Sequence, residues 1–344
     1  MIPNRNSLVG ITQGENQPST RFRWTQYLED LQRGGFDVAV LHSKSGSYAP
    51  EEKVQRPKWL AASIVENAVR TMRANQYDLR FLQRYLTATL CTWEPLLKSP
   101  FVFDVDDAIF LGPRGASADR IARSASLIIC GNNFLANHFC SFGKVTVLPT
   151  AVDTIRFAPS ATRPLTRRVI GWSGSSSGFK YLYSIEPALK ALLARYADLR
   201  LKVVSDKRPV FTILPANRVI FETWTPDREV AVLNEFAVGL MPLEDDRWSR
   251  GKCSFKMLTY MAVGIPVAVS PVGMNVEVFE KGACGYLASS IDDWVDALST
   301  LITNQSVAEE MGKAGRDIVE TFYARKVIGP KLAGILNGVV RGMA

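Results

Sequence analysis

Residues 248–270 read WSRGKCSFKMLTYMAVGIPVAVS, a segment with two lysines that turns through Gly264, Ile265 and Pro266 into a short apolar run. The spacing predicts a helix over 251–263 and a buried strand over 267–269. At about 100° per residue, Lys252, Lys256 and Thr259 fall in one arc of that helix, with Met257, Leu258 and Met261 opposite. One face packs and the other is offered to something anionic. Two ammonium groups near a helix N-terminus, where unpaired N–H groups and the macrodipole already favour negative charge, suit a phosphate or diphosphate. A solvated lysine face is the plainer alternative.

Short apolar runs alternate with amphipathic segments on both sides of this stretch, the pattern of βα units and parallel sheets. Strands are expected at 8–12, 37–41, 79–82, 101–105, 126–130 and 145–148, with helices near 21–33, 59–75, 89–97, 118–124 and 133–142. A polar, proline-bearing connection at 159–168 has no periodicity, and the pattern then restarts. The second set has strands at 169–172, 201–204, 219–221, 238–241 and 267–269, and helices near 182–195, 227–234, 251–263, 292–303 and 306–321. The reading is α/β, two Rossmann-like βα domains facing across a cleft at the carboxyl ends of their sheets, where open α/β folds bind ligands. The expected divisions are 1–158, 159–323 and a last helical segment, 324–344, with Val327, Leu332, Ile335, Leu336 and Val339 at helical spacing.

With 344 residues, 47% of them hydrophobic, there is core enough for two domains. The formal charge of +8 suits polyanionic small molecules, an anionic membrane surface or nucleic acid. Basic residues are dispersed and no zinc-knuckle or RNP-like motif occurs, so nucleic acid is not expected as a partner. Five cysteines, Cys91, Cys130, Cys140, Cys253 and Cys284, form no CxxC pair and fit reduced thiols of a cytoplasmic protein. No window approaches 18 uninterrupted apolar residues, so the chain is expected to be at most peripheral to a membrane, at its inner face. Two histidines, His42 and His138, exclude a multi-histidine metal site.

Four other stretches carry candidate chemistry. Asp106-Asp107-Ala108 follows the strand at 101–105, within FDVDDAIFL; adjacent carboxylates at a strand end read as a metal site, a general-base pair or a turn that caps a helix. Asp104 and Asp106 alternate onto one face while Asp107 points elsewhere. Gly171-Trp172-Ser173-Gly174-Ser175-Ser176-Ser177-Gly178 follows a strand and precedes Lys180; small residues let backbone N–H groups approach a phosphate, and a flexible loop with an exposed lysine is the alternative. Trp224 follows the strand at 219–221 and either stacks on a base or caps the core. Pro18-Ser19-Thr20-Arg21-Phe22-Arg23 opens a helix after the first strand, and Arg84 follows the strand at 79–82; both arginines are anion candidates or ordinary surface residues.

Taken together, Ala262 to Pro266, the strand, Ser270-Pro271-Val272-Gly273, Asn275-Val276-Glu277 and these stretches resemble GT-B glycosyltransferases of the large retaining family 4, glycosyl transferases group 1, over nearly the whole chain. The resemblance implies transfer of a sugar from a UDP-, GDP- or dTDP-sugar to a saccharide or lipid-linked glycan, as in polysaccharide or cell-surface glycan synthesis. It implies a retaining hexosyltransferase that needs neither metal nor cofactor, because basic side chains and helix N-termini neutralise the diphosphate. It places Gly174, Ser175, Lys180, Trp224, Arg250, Gly251, Lys252, Lys256 and Thr259 at the donor and Arg21 and Arg84 on the acceptor side. Asp106, Asp107 and Lys256 become the catalytic candidates. The terminal helix would cross back to the first domain.

The likeness fails at two positions. Many relatives carry two glutamates with seven residues between them, one near the sugar and one holding the ribose hydroxyls; here those places read Gly251 and Thr259. A threonine cannot accept bidentately from a vicinal diol as a carboxylate does. A donor with a deoxyribose nucleotide is one consequence. A glycosyltransferase-like binding or scaffold protein without turnover is another, and a GT-B sugar-nucleotide epimerase is a third class.

Overall fold

The computed structural model describes residues 5–112, 115–161 and 168–342. The chain folds as two compact units: Met1–Ala151, Gly251–Cys253 and Arg325–Ala344 in the first, Val152–Arg250 and Ser254–Ala324 in the second. Most of the connection expected at 159–168, namely 162–167, lies outside the described residues.

The first unit is a six-stranded parallel sheet of β1 (Asn6–Thr12), β2 (Phe36–His42), β3 (Leu79–Gln83), β4 (Phe101–Val105), β5 (Leu127–Cys130) and β6 (Val145–Val147), in the order β2-β1-β3-β4-β5-β6. Its strands are near-continuous apolar runs because both faces are covered. On one face Leu8, Phe81, Val102 and Ile129 meet Trp24, Tyr27 and Leu31, together with Ile328, Leu332 and Leu336 of the terminal helix Arg325–Val340. Gly10 is small because a side chain there would occupy the Trp24 indole. Gln83 pairs in register with Asp104, so the residues that follow β3 and β4 emerge side by side.

The second unit is another six-stranded parallel sheet: β7 (Val169–Ser173), β8 (Arg200–Ser205), β9 (Val219–Thr223), β10 (Val238–Met241), β11 (Val267–Val269) and β12 (Gly285–Leu287), ordered β12-β11-β10-β7-β8-β9. Counted from β7, this is the 3-2-1-4-5-6 order of dinucleotide-binding sheets, and the strand order reverses between β7 and β10. Crossovers leave in opposite directions there, which in open α/β sheets sets a crevice at the carboxyl ends of the two strands. The core under it is built from Ile170, Trp172, Leu189, Leu201, Leu240, Trp294 and Leu298.

Several helices differ from the sequence expectation. Over 89–97 there is one short turn, Glu94–Leu96, because the buried Glu94 carboxylate accepts from the backbone N–H groups of Leu86 and Thr92. The segment expected at 182–195 breaks at Ile185, where Pro187 starts a new helix, Glu186–Arg195. The helix expected at 21–33 is two, Pro18–Arg23 and Leu28–Arg33. Strand β12 and the helix Met274–Phe279 were not anticipated. No helix among the described residues is long and apolar enough to cross a membrane.

Candidate functional site

In the second unit, the expected helix over 251–263 is shorter. It runs Phe255–Ala262, preceded by a separate turn Arg247–Arg250, because Ser254 takes a left-handed conformation (φ 51°) and its hydroxyl donates to Asn275 rather than capping the helix. Lys252 therefore lies outside the helix, which corrects the arc drawn from sequence. Lys256 is its second residue. The helix is buried nearly all round, and Thr259 is only 6% exposed. The Thr259 hydroxyl donates to the Lys256 carbonyl at 2.7 Å, so it serves the helix itself.

The Lys256 chain runs back across the crevice. Its ammonium sits over the Trp172 ring, 5.5 Å from the centroid, and Cε lies where a side chain on Gly174 would be. Tyr260, one turn on, accepts the Ser173 N–H at its hydroxyl and packs its ring on Gly239 of β10, where a β-carbon would clash. One apolar helix is thus clamped against the ends of β7 and β10, and it carries a cation to the switch point.

The loops after these strands are also tied together. The Lys180 ammonium is 3.6 Å from Glu244 and 3.9 Å from Asp246, and the Ser249 hydroxyl donates to Tyr181. Lys180 is exposed, so its charge is shared with those acids. Ser175 pairs with Ser177 at 2.7 Å, and Ser176 bonds to Asp206 through both its N–H and its hydroxyl. Arg250 makes a two-point contact with Asp245 at 2.7 and 2.9 Å. Trp224 follows β9, the edge strand, two places from β7, and its N–H donates to the Ser205 carbonyl.

In the first unit, Arg84 takes a positive φ of 54° just after β3, which turns its guanidinium onto the carboxylates that follow β4. Its Nε donates to Asp106, and a terminal nitrogen lies 3.7 Å from Asp107. Burial works against the charged form of both acids. For Asp106 the Arg84 guanidinium more than offsets it and holds the carboxyl below its ordinary range; for Asp107 burial prevails over Arg84 and Lys252, and the carboxyl is raised. Asp104, behind them, is fully buried and paired with Arg23, which also donates to the Leu148 carbonyl at 2.6 Å. Arg23 was not singled out from sequence, and it takes the carboxylate that a DxD metal site would need. Among the described residues no group of three or more His, Cys, Asp and Glu side chains is arranged to hold a metal ion.

The short segment Gly251–Cys253 belongs to this unit. Asn132 donates to the Lys252 carbonyl at 3.1 Å, the Cys253 thiol donates to the Asp106 carbonyl at 3.2 Å, and a β-carbon on Gly251 would stand 2.5 Å from that of Ala108. No carboxylate side chain fits at 251. Arg21 is turned over the Phe22 ring, 4.8 Å from its centroid.

Residues 167–304 match the family described as glycosyl transferases group 1. That match falls almost wholly within the second unit. In sequence, no curated protein matches. In structure, the chain is similar to sucrose-phosphate synthase from Thermosynechococcus elongatus, with a TM-score of 0.74 at 14% identity, covering 98% of this chain and 100% of that one. It is similar to HepE from Anabaena in complex with UDP and glucose (TM-score 0.70, 14% identity, 97% and 100% covered). It also resembles the E. coli trehalose-6-phosphate structure bound with UDP-2-fluoro glucose (TM-score 0.69, 12% identity, 98% and 99% covered). At these identities the likeness establishes the fold: two parallel-sheet α/β domains of the GT-B type.

Proposed function

We propose that the protein transfers a hexose from a nucleotide-diphosphate donor to a saccharide or lipid-linked glycan, with retention at the anomeric carbon. The observation that carries this reading is Lys256, a cation on a buried helix laid over Trp172 and Gly174 at the switch point of a 3-2-1-4-5-6 sheet. The neighbours described with UDP and with UDP-2-fluoro glucose support a nucleotide-sugar donor. Lys256 would neutralise the leaving diphosphate, stabilising charge where it develops, with Lys180 and Arg250 adding positive field once the phosphates displace Glu244, Asp246 and Asp245 from them. Gly174 and Ser175 would let backbone approach the phosphates. Asp106, held ionised by Arg84, would orient a hydroxyl, and Asp107, with its raised carboxyl, would exchange a proton with it. No step in this scheme uses a metal or cofactor.

The test is titration of UDP and UDP-glucose into the wild type and Lys256→Met. Loss of one charge-assisted contact costs about 2 kcal/mol, roughly thirtyfold in Kd. Undiminished affinity in the variant, or no nucleotide diphosphate binding at all by the wild type, defeats the reading.

A second reading is favoured by Gly251, which has no room for a carboxylate, and by Thr259, whose hydroxyl is bonded within its helix. On it the protein binds a nucleotide sugar without turnover. Donor hydrolysis, assayed with and without acceptor, separates the two: any acceptor-stimulated release of nucleotide excludes the second.

A further inference from the structure

Helix Arg56–Ala74 is built inside out. At helical spacing its inward face is polar: Ser63, Asn67, Arg70 and Thr71 are buried. Asn67 donates to the Leu86 carbonyl and the Thr87 hydroxyl, and Arg70 donates to the carbonyls of Thr12 and Leu41 at the ends of β1 and β2. The outward face is apolar: Val65 is 66% and Met72 71% exposed, and Leu60, Ile64 and Val69 are exposed beside them. A surface helix of a soluble domain normally has the reverse pattern. Contiguous exposed apolar surface marks a contact site.

The charges say what covers it. The one acid on this helix, Glu66, is turned to the backbone N–H groups of Lys44 and Ser45. Lys53, Arg56 and Lys58 at one end and Arg73 at the other are exposed, against Glu51 and Glu52 just before them. A second copy docking around a two-fold axis would bring this same cationic rim against itself. Anionic headgroups would neutralise it while the acyl boundary takes up the apolar side chains, as for helices that lie in the membrane interface.

We propose that helix Arg56–Ala74 is a membrane-contact surface that seats the protein on an anionic lipid bilayer. The assignment is independent of the donor reading, because vesicle binding needs no nucleotide. The test is co-sedimentation of the full chain with phosphatidylcholine vesicles, with and without about one third phosphatidylglycerol. The wild type is expected to bind the anionic vesicles and to be released by salt. Val65→Asp and Met72→Asp, each at an exposed position, are expected to lower partitioning about tenfold or more with Tm unchanged. Lys58→Glu with Arg73→Glu reports the charge contribution and is expected to weaken binding to anionic vesicles selectively. The proposal fails if the wild type does not sediment with anionic vesicles, or if binding survives both aspartate variants. It fails equally if the chain is a dimer in solution that Val65→Asp splits.

Discussion

A β-carbon built on Gly174 would fall 2.2 Å from Cε of Lys256 and 3.0 Å from the Trp172 ring, so the bare backbone at 174 is what lets the lysine lie across the crevice. The clashing atoms belong to the far end of a flexible chain, so Gly174→Ala is expected to fold with little change in Tm while displacing the ammonium. Nucleotide diphosphate affinity should drop about tenfold. Calorimetry beside a melting curve checks it; equal affinities would mean the ammonium does not meet the phosphates where it now lies.

Placing a glutamate at position 251, where the family resemblance implies one, is expected to harm the protein. The space is filled by Ala108, whose Cβ, N and Cα would stand 2.5, 3.0 and 3.2 Å from the new β-carbon, and backbone cannot step aside as a side-chain tip can. Gly251→Glu should cost about 2 kcal/mol or more, read as a lower denaturant midpoint with unchanged m. A variant as stable as the wild type would contradict the packing.

Asp106 and Asp107 should respond to pH with opposite signs. The folded state lowers the Asp106 carboxyl, so its pairing with Arg84 stabilises above the ordinary carboxylate range and is lost as pH falls through the lowered value. Asp106→Asn should therefore cost about 3 kcal/mol near neutrality and progressively less in acid. Asp107 is raised, so its ionised form is a cost at neutral pH that disappears on acidification, and Asp107→Asn should be neutral or stabilising at pH near 7. Melting curves between neutral and acid pH check both; parallel curves for wild type and Asp106→Asn would refute the assignment.

Because the Thr259 hydroxyl is spent on the Lys256 carbonyl, it should not discriminate a ribose from a deoxyribose. UDP and dTDP are expected to bind within about threefold of each other, and Thr259→Val to change neither. A UDP preference beyond about tenfold would end the deoxyribose-donor idea.

The sheets were legible from sequence because buried parallel strands read as apolar runs: β4, β10 and β11 fall where the runs at 101–105, 238–241 and 267–269 lie. β12, three residues with a glycine, has too little pattern to see. Helix ends were set by contacts that spacing does not encode. Ser254 adopts its left-handed turn because Asn275 accepts its hydroxyl, and Glu94 is held by amides of a neighbouring segment. Adjacent carboxylates and lysines could be picked out as chemistry. Their partners could not: Arg84 reaches Asp106 only because β3 and β4 are paired in register, and the arginine that takes Asp104 sits 81 residues away. The inverted helix escaped because apolar periodicity tells that a helix has two faces, not which of them is turned inward.

The terminal helix Arg325–Val340 sets an order of events. Ile328, Leu332 and Leu336 complete the first unit's core, Arg325 is paired to Glu29 and Asp30, and the Asn337 amide donates to the Gly34 carbonyl. A ribosome making this chain finishes the whole second unit before those residues emerge. The half translated first is therefore the last to be sealed, and until then it leaves a greasy seam for chaperones to guard.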